Sequence, residues 1–410
     1  MTPGADNPGA ARTWTGMTTR TLLFSLLCLS CTSDKTVVVI DGDPIDADGG
    51  RPELDGATDD DGGTPAVTEV DLLLVIDNSG SMAEEQASLA DELPIFIRSL
   101  ADGEIRDPDT GALVESFPPV TSLRVGVVST DMGTGGFNVP TCTNRRFGDD
   151  GLLIDRGNVA SDSRCMATYP TPQTNSGMDL SALAAVTDFV VDQACIAELG
   201  IDGCGFEQQR DAMRKAVTPA SSTLTFQEGT PGNGTVNGNF GRPDAVLAVL
   251  MVTDEDDCST FEPDLFNPTS SRYTGDLNLR CFNFPEAVHP LSRFRIGLLA
   301  GRDPERVVFM PITGIPARLE PSAGGTPDYA TILADPDMQE VVDPGDDTRL
   351  LPSCNVPGRG LAFPPRRIVG LAQELGSAGA HASVASICQR DFGNALTSFT
   401  RAIADAMSAP

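Results

Sequence analysis

Residues 70–82 read VDLLLVIDNSGSM, and this stretch decides the fold. Every residue from 70 to 76 except Asp71 is aliphatic. A run that is apolar on both faces is typical of a parallel strand that helices cover on each side. Polar and small residues begin at Asp77, so the strand is predicted to end at Ile76.

Other segments of the chain repeat this pattern. Similar, mainly apolar runs occur at residues 123–128, 246–252, 307–312 and 381–387. Helical patterns lie between and after them, at residues 89–100, 180–199, 207–217 and 396–407. The alternation predicts an α/β fold with a doubly wound, mostly parallel sheet and helices on both faces.

The composition argues against several classes of protein. The chain has 410 residues and 40% of them are hydrophobic, which is enough for a folded core. Its formal net charge of −30 repels phosphate backbones, so nucleic acid is excluded as a partner. The 2 histidines argue against a histidine-rich zinc site.

The N-terminal residues predict export. Residues 21–30 form an apolar run that is too short to span a bilayer but suits a signal peptide, predicted over residues 1–31 with Met17 as an alternative start. The segment Leu29-Ser30-Cys31 resembles a bacterial lipoprotein box, which implies a lipid anchor on Cys31. Cleavage without lipid attachment is the alternative. Residues 32–69 are rich in aspartate, glycine and proline and predict an acidic, flexible linker.

The cysteines predict disulfides. Without Cys28 and Cys31 an even set remains, as expected for an exported chain: Cys142, Cys165, Cys195, Cys204, Cys258, Cys281, Cys354 and Cys388. Pairing between neighbours along the chain gives 142–165, 195–204, 258–281 and 354–388. These bridges are expected to brace long insertions near residues 130–177, 259–293 and 314–365 within one domain that covers residues 70–410.

The candidate site lies where the first strand ends. Asp77, Ser79 and Ser81 offer a carboxylate and two hydroxyls, which are hard oxygen ligands for Mg²⁺, Mn²⁺ or Ca²⁺. Asp254 follows a second aliphatic run, and the carboxyl ends of parallel strands meet at one edge of a sheet. Helix capping is the simpler alternative, but it explains only one of these residues. The acidic residues 255–257 are predicted to be solvated loop residues, or outer neighbours of the site at most.

Asp77-Asn78-Ser79-Gly80-Ser81 resembles the D-x-S-x-S metal-ion-dependent adhesion site (MIDAS) of von Willebrand factor type A domains. Thr253-Asp254 matches the later threonine-aspartate pair of that family. The resemblance implies that Asp77, Ser79, Ser81 and Asp254 hold a divalent cation, which captures an acidic group of a partner. Glu207 stands where the family has a threonine. It is either a further metal ligand that favours Ca²⁺ or a first-turn residue of the next helix.

These features predict an exported protein of a bacterial cell envelope, lipid-anchored at the outer membrane or cell surface, or alternatively secreted or periplasmic. Its expected function is divalent-metal-dependent binding of a protein or an extracellular polymer, and no enzyme activity is expected. Two alternatives stay open. One is a metal-assisted hydrolase at Asp77 and Asp254, and the other is a structural envelope component with a purely stabilising metal site.

Overall fold

The computed structural model describes residues 66–107, 110–176, 183–357 and 360–409. The predicted signal peptide, the lipidation site Cys31 and the linker up to residue 65 lie outside the described residues. Within these ranges, no helix is both long enough and apolar enough to cross a membrane.

Strands and helices alternate along the described chain. The strands are β1 (Glu69–Ile76), β2 (Glu104–Arg106), β3 (Leu113–Ser116), β4 (Ser122–Ser129), β5 (Gln173–Ser176), β6 (Val246–Val252), β7 (Val307–Thr313), β8 (Val342–Asp343), β9 (Asp346–Leu350), β10 (Cys354–Val356), β11 (Gly360–Ala362), β12 (His381–Ala382) and β13 (Ala385–Ser386). The helices are α1 (Ala83–Asp102), α2 (Leu183–Ala197), α3 (Gln209–Val217), α4 (Arg280–Asn283), α5 (Leu291–Leu299), α6 (Tyr329–Ala334), α7 (Arg366–Ser377) and α8 (Gly393–Met407).

The main sheet has the order β12-β7-β6-β1-β4-β5, and β13 also pairs with β7. All of its pairs are parallel except β4 with β5. Strand β1 lies in the middle, with Leu72 between Val125 of β4 and Ala248 of β6. The structure therefore confirms the predicted α/β fold with a mostly parallel sheet.

The two faces of β1 enter two separate cores. Leu72 and Leu74 pack in the core that contains Phe96 of α1 and Phe399 of α8. Leu73 packs in the other core, with Met213 of α3, Phe294 of α5 and Leu371 of α7. Helices therefore cover both faces, which explains why every residue of β1 after Asp71 is apolar. The predicted helices include neither α5 nor α7.

The predicted strand at residues 381–387 is split into β12 and β13. The pairs Ala382–Phe309 and Ala385–Ile312 keep one register, so the two strands belong to one interrupted edge strand. Phe309 and Thr313 accept hydrogen bonds from the edge strand, and Pro311 lies between them on β7. Because proline has no N–H, the ladder lacks a hydrogen bond at this point.

Four disulfides are present in the described chain. Cys258–Cys281 and Cys354–Cys388 form as predicted. The other two predicted pairings are wrong, because Cys142 pairs with Cys204 and Cys165 pairs with Cys195. The loop that carries Cys165 packs on the end of α2, where the Asn158 N–H donates to the Cys195 carbonyl over 2.9 Å. Disulfides of this number indicate an oxidising compartment outside the cytoplasm.

The predicted insertions contain short elements of their own. Residues 130–177 include β5, and residues 314–365 include α6 and the hairpins β8–β9 and β10–β11. A small third core surrounds Phe206, Phe266 and Tyr273 and includes the disulfides Cys142–Cys204 and Cys258–Cys281. The disulfides therefore tie the insertions to the domain beside the carboxyl ends of β1 and β6.

Candidate functional site

The candidate site is formed by residues that follow neighbouring parallel strands. Asp77 follows β1, Thr130 follows β4, and Thr253 and Asp254 follow β6. The Asp77 N–H donates to the Val252 carbonyl over 2.9 Å, which fixes the two strand ends side by side. In open α/β sheets, ligands bind at this edge.

Neutral groups hold the Asp77 side chain, which is fully buried. The Thr253 hydroxyl donates to Asp77 Oδ2 over 2.6 Å, and the Ser79 N–H donates to Asp77 Oδ1 over 2.8 Å. Gln209 Nε2 in turn donates to Thr253 Oγ1 over 2.8 Å. Burial raises the pKa of Asp77, and the hydrogen bonds from Thr253 and Ser79 oppose this rise.

The two motif serines lie against the two aspartates. Ser79 Oγ and Ser81 Oγ are 3.2 Å apart, and Ser79 is buried. A hydrogen bond from Ser81 lowers the pKa of Asp254, but burial and the charge of Asp77 outweigh it, so that pKa lies well above its ordinary value. The structure thus brings Asp77, Ser79, Ser81 and Asp254 together, as the spacing of the motif predicts.

Glu207 is part of the same cluster. It lies before the start of α3 at Gln209 and is 2% exposed, so it is not a solvated first-turn residue. Burial raises the pKa of Glu207 well above its ordinary value, with further contributions from the charges of Glu255 and Asp77. The disulfide between Cys142 and Cys204 anchors the chain just before it.

Glu255 belongs to the cluster, although it was predicted to be a solvated loop residue or an outer neighbour of the site at most. A hydrogen bond joins its carboxyl group to that of Glu207. Burial, followed by the charge of Asp77, raises the pKa of Glu255 to about 7. The only signal in the sequence was the run of acidic residues after Asp254, which does not show that Glu255 points back into the site.

The next two acidic residues have structural roles and are not solvated either. Asp257 is fully buried and pairs with Arg210, with 2.8 Å between Oδ2 and Nη2. Asp256 accepts the backbone N–H groups of Arg367 and Ile368 at the start of α7, at 3.1 and 3.2 Å. Asp257 and Asp256 thus pair with the guanidinium groups of Arg210 and Arg367.

The cluster of Asp77, Glu207, Asp254 and Glu255 therefore lacks a compensating cation among the described residues. After burial, the charges that raise the pKa values of Glu207, Asp254 and Glu255 all come from neighbouring carboxylates, and Asp77 is among them in each case. In addition, Glu207 Oε1 and Asp254 Oδ1 are buried without a hydrogen-bond partner. Buried, unpaired carboxylate oxygens are costly unless a cation neutralises them. The donor set of carboxylates and serine hydroxyls thus fits a hard divalent cation.

The part of the chain that the structure describes holds no preformed cage of histidine, cysteine and carboxylate ligands. In the described ranges, no group of three or more histidine, cysteine, aspartate or glutamate residues could by itself hold a metal ion as placed. The candidate set differs from such a cage because Ser79 and Ser81 supply hydroxyl ligands beside the carboxylates.

A cleft of about 420 Å³ opens above the motif. Ser79, Ser81, Glu207 and Glu255 line it, so the cleft reaches the edge of the cluster. The disulfide Cys258–Cys281, strand β9 and the start of α7 also line the cleft. The backbone of Asp254 contacts the segment after hairpin β10–β11, where the Phe363 N–H donates to the Asp254 carbonyl over 2.8 Å.

Comparisons with known proteins do not identify the chain. No family model matches it, and no curated protein is significantly similar to it. The resemblance to von Willebrand factor type A domains therefore stays a prediction from the motif.

Proposed function

We propose that this protein is a divalent-metal-dependent binding module of a bacterial cell envelope. The observation that carries the proposal is the cluster of Asp77, Glu207, Asp254 and Glu255, which has no compensating cation among the described residues and has two buried carboxylate oxygens without a hydrogen-bond partner. The cluster lies at the carboxyl edge of a parallel sheet, where such folds bind ligands, and Glu207 and Glu255 line an open cleft there.

Asp77, Ser79, Ser81, Asp254 and Glu207 would hold the cation, and the cation would supply an electrophilic centre for an oxygen ligand of a partner. The number of carboxylates favours Ca²⁺, because Ca²⁺ takes six to eight oxygen ligands and tolerates irregular geometry. Mg²⁺ and Mn²⁺ demand stricter, smaller sites.

The proposed location is the outer membrane or the cell surface. A lipid on Cys31 would anchor the chain, and the acidic residues 32–65 would separate the domain from the membrane. The four disulfides support an oxidising location, and a secreted or periplasmic form agrees with them equally well.

A purely stabilising metal site is the second candidate function. Asp77 and Asp254 do not line the cleft that Ser79, Ser81, Glu207 and Glu255 line. A cation held mainly by these two aspartates would stabilise the fold without reaching a partner.

Thermal unfolding of the metal-stripped full chain tests the metal site. Titration with Ca²⁺, Mg²⁺ and Mn²⁺ is expected to raise the melting temperature, with Ca²⁺ acting at the lowest concentration. A ligand at 100 times its Kd adds about 2.7 kcal/mol to the free energy of unfolding. Asp77→Asn keeps the shape and is expected to abolish this gain without lowering the metal-free stability. Asp405→Asn, at an exposed position on α8, is the matched control.

If Asp77→Asn keeps the metal-dependent rise in melting temperature as fully as Asp405→Asn does, the cations bind non-specifically to the acidic surface. No shift with any cation would contradict the proposed site. A metal-dependent shift without any metal-dependent ligand would favour the purely stabilising role.

A further inference from the structure

We infer that the partner that binds at this site is a neutral saccharide and not an acidic peptide. The saccharide would bind through its hydroxyl groups. The inference rests on the proposed function and names the partner class of the same site. The charges of the cluster, the charges of the whole cleft and the uncharged side chains of its walls support it.

The first support is the charge of the cluster. Four carboxyl groups meet there, and two of them, Glu207 and Glu255, line the cleft beside Ser79 and Ser81. A divalent cation carries two positive charges, so these carboxylates already neutralise it. A further carboxylate from a partner would then approach a neutral or negative centre. Neutral oxygen ligands, such as hydroxyl groups, complete a calcium coordination sphere without this repulsion.

The second support is the charge of the cleft as a whole. Its lining contains more acidic than basic residues: Glu207, Glu255, Asp256, Glu340 and Asp346 against Arg349 and Arg367. Both arginines are already paired. Arg349 Nη2 lies 3.0 Å from Asp343 Oδ2, and Arg367 Nη2 lies 3.3 Å from Asp256 Oδ2. Neither guanidinium group is available to receive an acidic partner, so electrostatic complementarity disfavours one.

The third support is the chemistry of the walls. Phe282 and Phe363 line the cleft and are partly exposed, which offers apolar ring surfaces at its sides. Asn278, Thr141 and Thr348 add uncharged hydrogen-bonding groups. A pyranose ring has apolar C–H faces and hydroxyl edges, so it can contact the rings while its hydroxyls reach neutral and anionic acceptors.

The test measures the binding of three classes of probe to the full chain saturated with Ca²⁺. The probes are neutral oligosaccharides of mannose, glucose, galactose and N-acetylglucosamine, a capped penta-aspartate peptide and a capped pentalysine peptide. Calorimetry and saccharide NMR provide the readouts, and a parallel calcium titration of the same sample monitors the metal site. At least one neutral saccharide is expected to bind with calcium and to lose binding when calcium is chelated, while penta-aspartate does not bind.

Two variants sharpen the test. Glu207→Thr removes one carboxylate from the cluster and is expected to raise the affinity for penta-aspartate about tenfold, the order expected for removing one like charge from a partly hydrated site. Phe282→Ala is expected to weaken saccharide binding about tenfold. The matched control is Phe261→Ala, because Phe261 is 51% exposed and lies outside the cleft. Melting curves verify that each variant is folded.

Calcium-dependent binding of penta-aspartate to the unmodified chain, or of no neutral saccharide while calcium itself binds, would overturn the inference and leave the proposed metal site standing. Pentalysine that binds the calcium-saturated chain more tightly than every saccharide would overturn it as well, because the cleft would then select a cationic partner. If Mg²⁺ or Mn²⁺ binds but Ca²⁺ does not, the saccharide inference fails alone; if none of the three binds, the proposed function fails with it.

Discussion

The two ends of β1 each carry a buried aspartate, but their surroundings differ. At the amino end, Asp71 is fully buried and faces Arg242, whose Nε donates to Asp71 Oδ1 over 2.8 Å. At the carboxyl end, Asp77 is equally buried, but its donors are the uncharged groups of Thr253 and Ser79. A compensated acid therefore lies near the start of β1, and an uncompensated acid directly follows its end.

The difference separates a structural role from a functional one. A buried carboxylate with a guanidinium partner is complete, so Asp71 needs nothing from outside the chain. Asp77 instead shares its surroundings with Glu207 and Asp254, and after burial its charge contributes to the raised pKa values of both. Sites of this kind are candidates for ligand binding, because a chain retains an unfavourable buried charge when something else compensates for it.

The largest expected effect comes from removing the partner at the compensated end. Arg242→Ala would leave Asp71 buried without a cation and is expected to lower the free energy of unfolding by about 3 kcal/mol. Because this end is remote from the proposed metal site, the loss should be equal with and without Ca²⁺. Urea unfolding in both conditions measures it.

Asp71→Asn combined with Arg242→Ala is the control for this prediction. The double variant leaves no unpaired charge and is expected to recover part of the lost stability. If Arg242→Ala instead costs stability only when calcium is present, the separation between the two ends of β1 is wrong.

A smaller effect is expected from Gln86, a buried side chain that positions the motif loop. Its Nε2 donates to the carbonyl oxygens of Asp77 and Gly200, over 2.7 and 2.9 Å, and its Oε1 accepts from the Gly200 N–H over 3.0 Å. Gln86→Leu keeps the volume but breaks all three hydrogen bonds. We expect the calcium affinity to fall about tenfold, as for other residues that orient metal ligands.

Calcium titration followed by calorimetry distinguishes this role from a general loss of stability. Gln373→Leu on α7 is the matched control and is expected to leave the calcium affinity unchanged. If Gln86→Leu lowers the melting temperature but leaves the calcium affinity unchanged, Gln86 contributes to stability and does not position the metal ligands.

The central strands of the sheet could be predicted from the sequence, but several of the surrounding helices and disulfides could not. The runs that became β1, β4, β6 and β7 are apolar because both faces are covered, and this signal is local. Helices α5 and α7 were missed because they lie next to long insertions. The pairing of Cys142 with Cys204 and of Cys165 with Cys195 was missed because it depends on how two distant loops pack, not on sequence spacing.

The candidate site shows the same division. The motif predicted that Asp77, Ser79, Ser81 and Asp254 would meet, because all of them follow strands of one sheet. Glu207 was expected near the site only because it stands where the family has a threonine, and the structure places it in the cluster. Glu255 could not be assigned, since only the fold determines whether a loop carboxylate turns inward.

The smallest expected effect concerns a third acid, the half-buried Glu320, which lies near the edge strand β13. It accepts the Ser386 N–H over 3.1 Å and a hydrogen bond from Gln389. Burial raises the pKa of Glu320 from 4.5 to about 7, and these hydrogen bonds oppose the rise. Since the folded state binds this proton more tightly, the contribution of Glu320 to stability is fully present below about pH 4.5 and is lost as the pH rises through 7.

Glu320→Gln removes this titration, so the variant should gain stability relative to the parent protein between pH 5 and pH 8. The expected difference is about 1 kcal/mol, after allowance for the solvent-exposed part of the side chain. Melting curves at the two pH values measure it, and the calcium affinity should stay unchanged because Glu320 does not line the metal cleft. An equal pH dependence in variant and parent would show that Glu320 is already compensated, as Asp71 is.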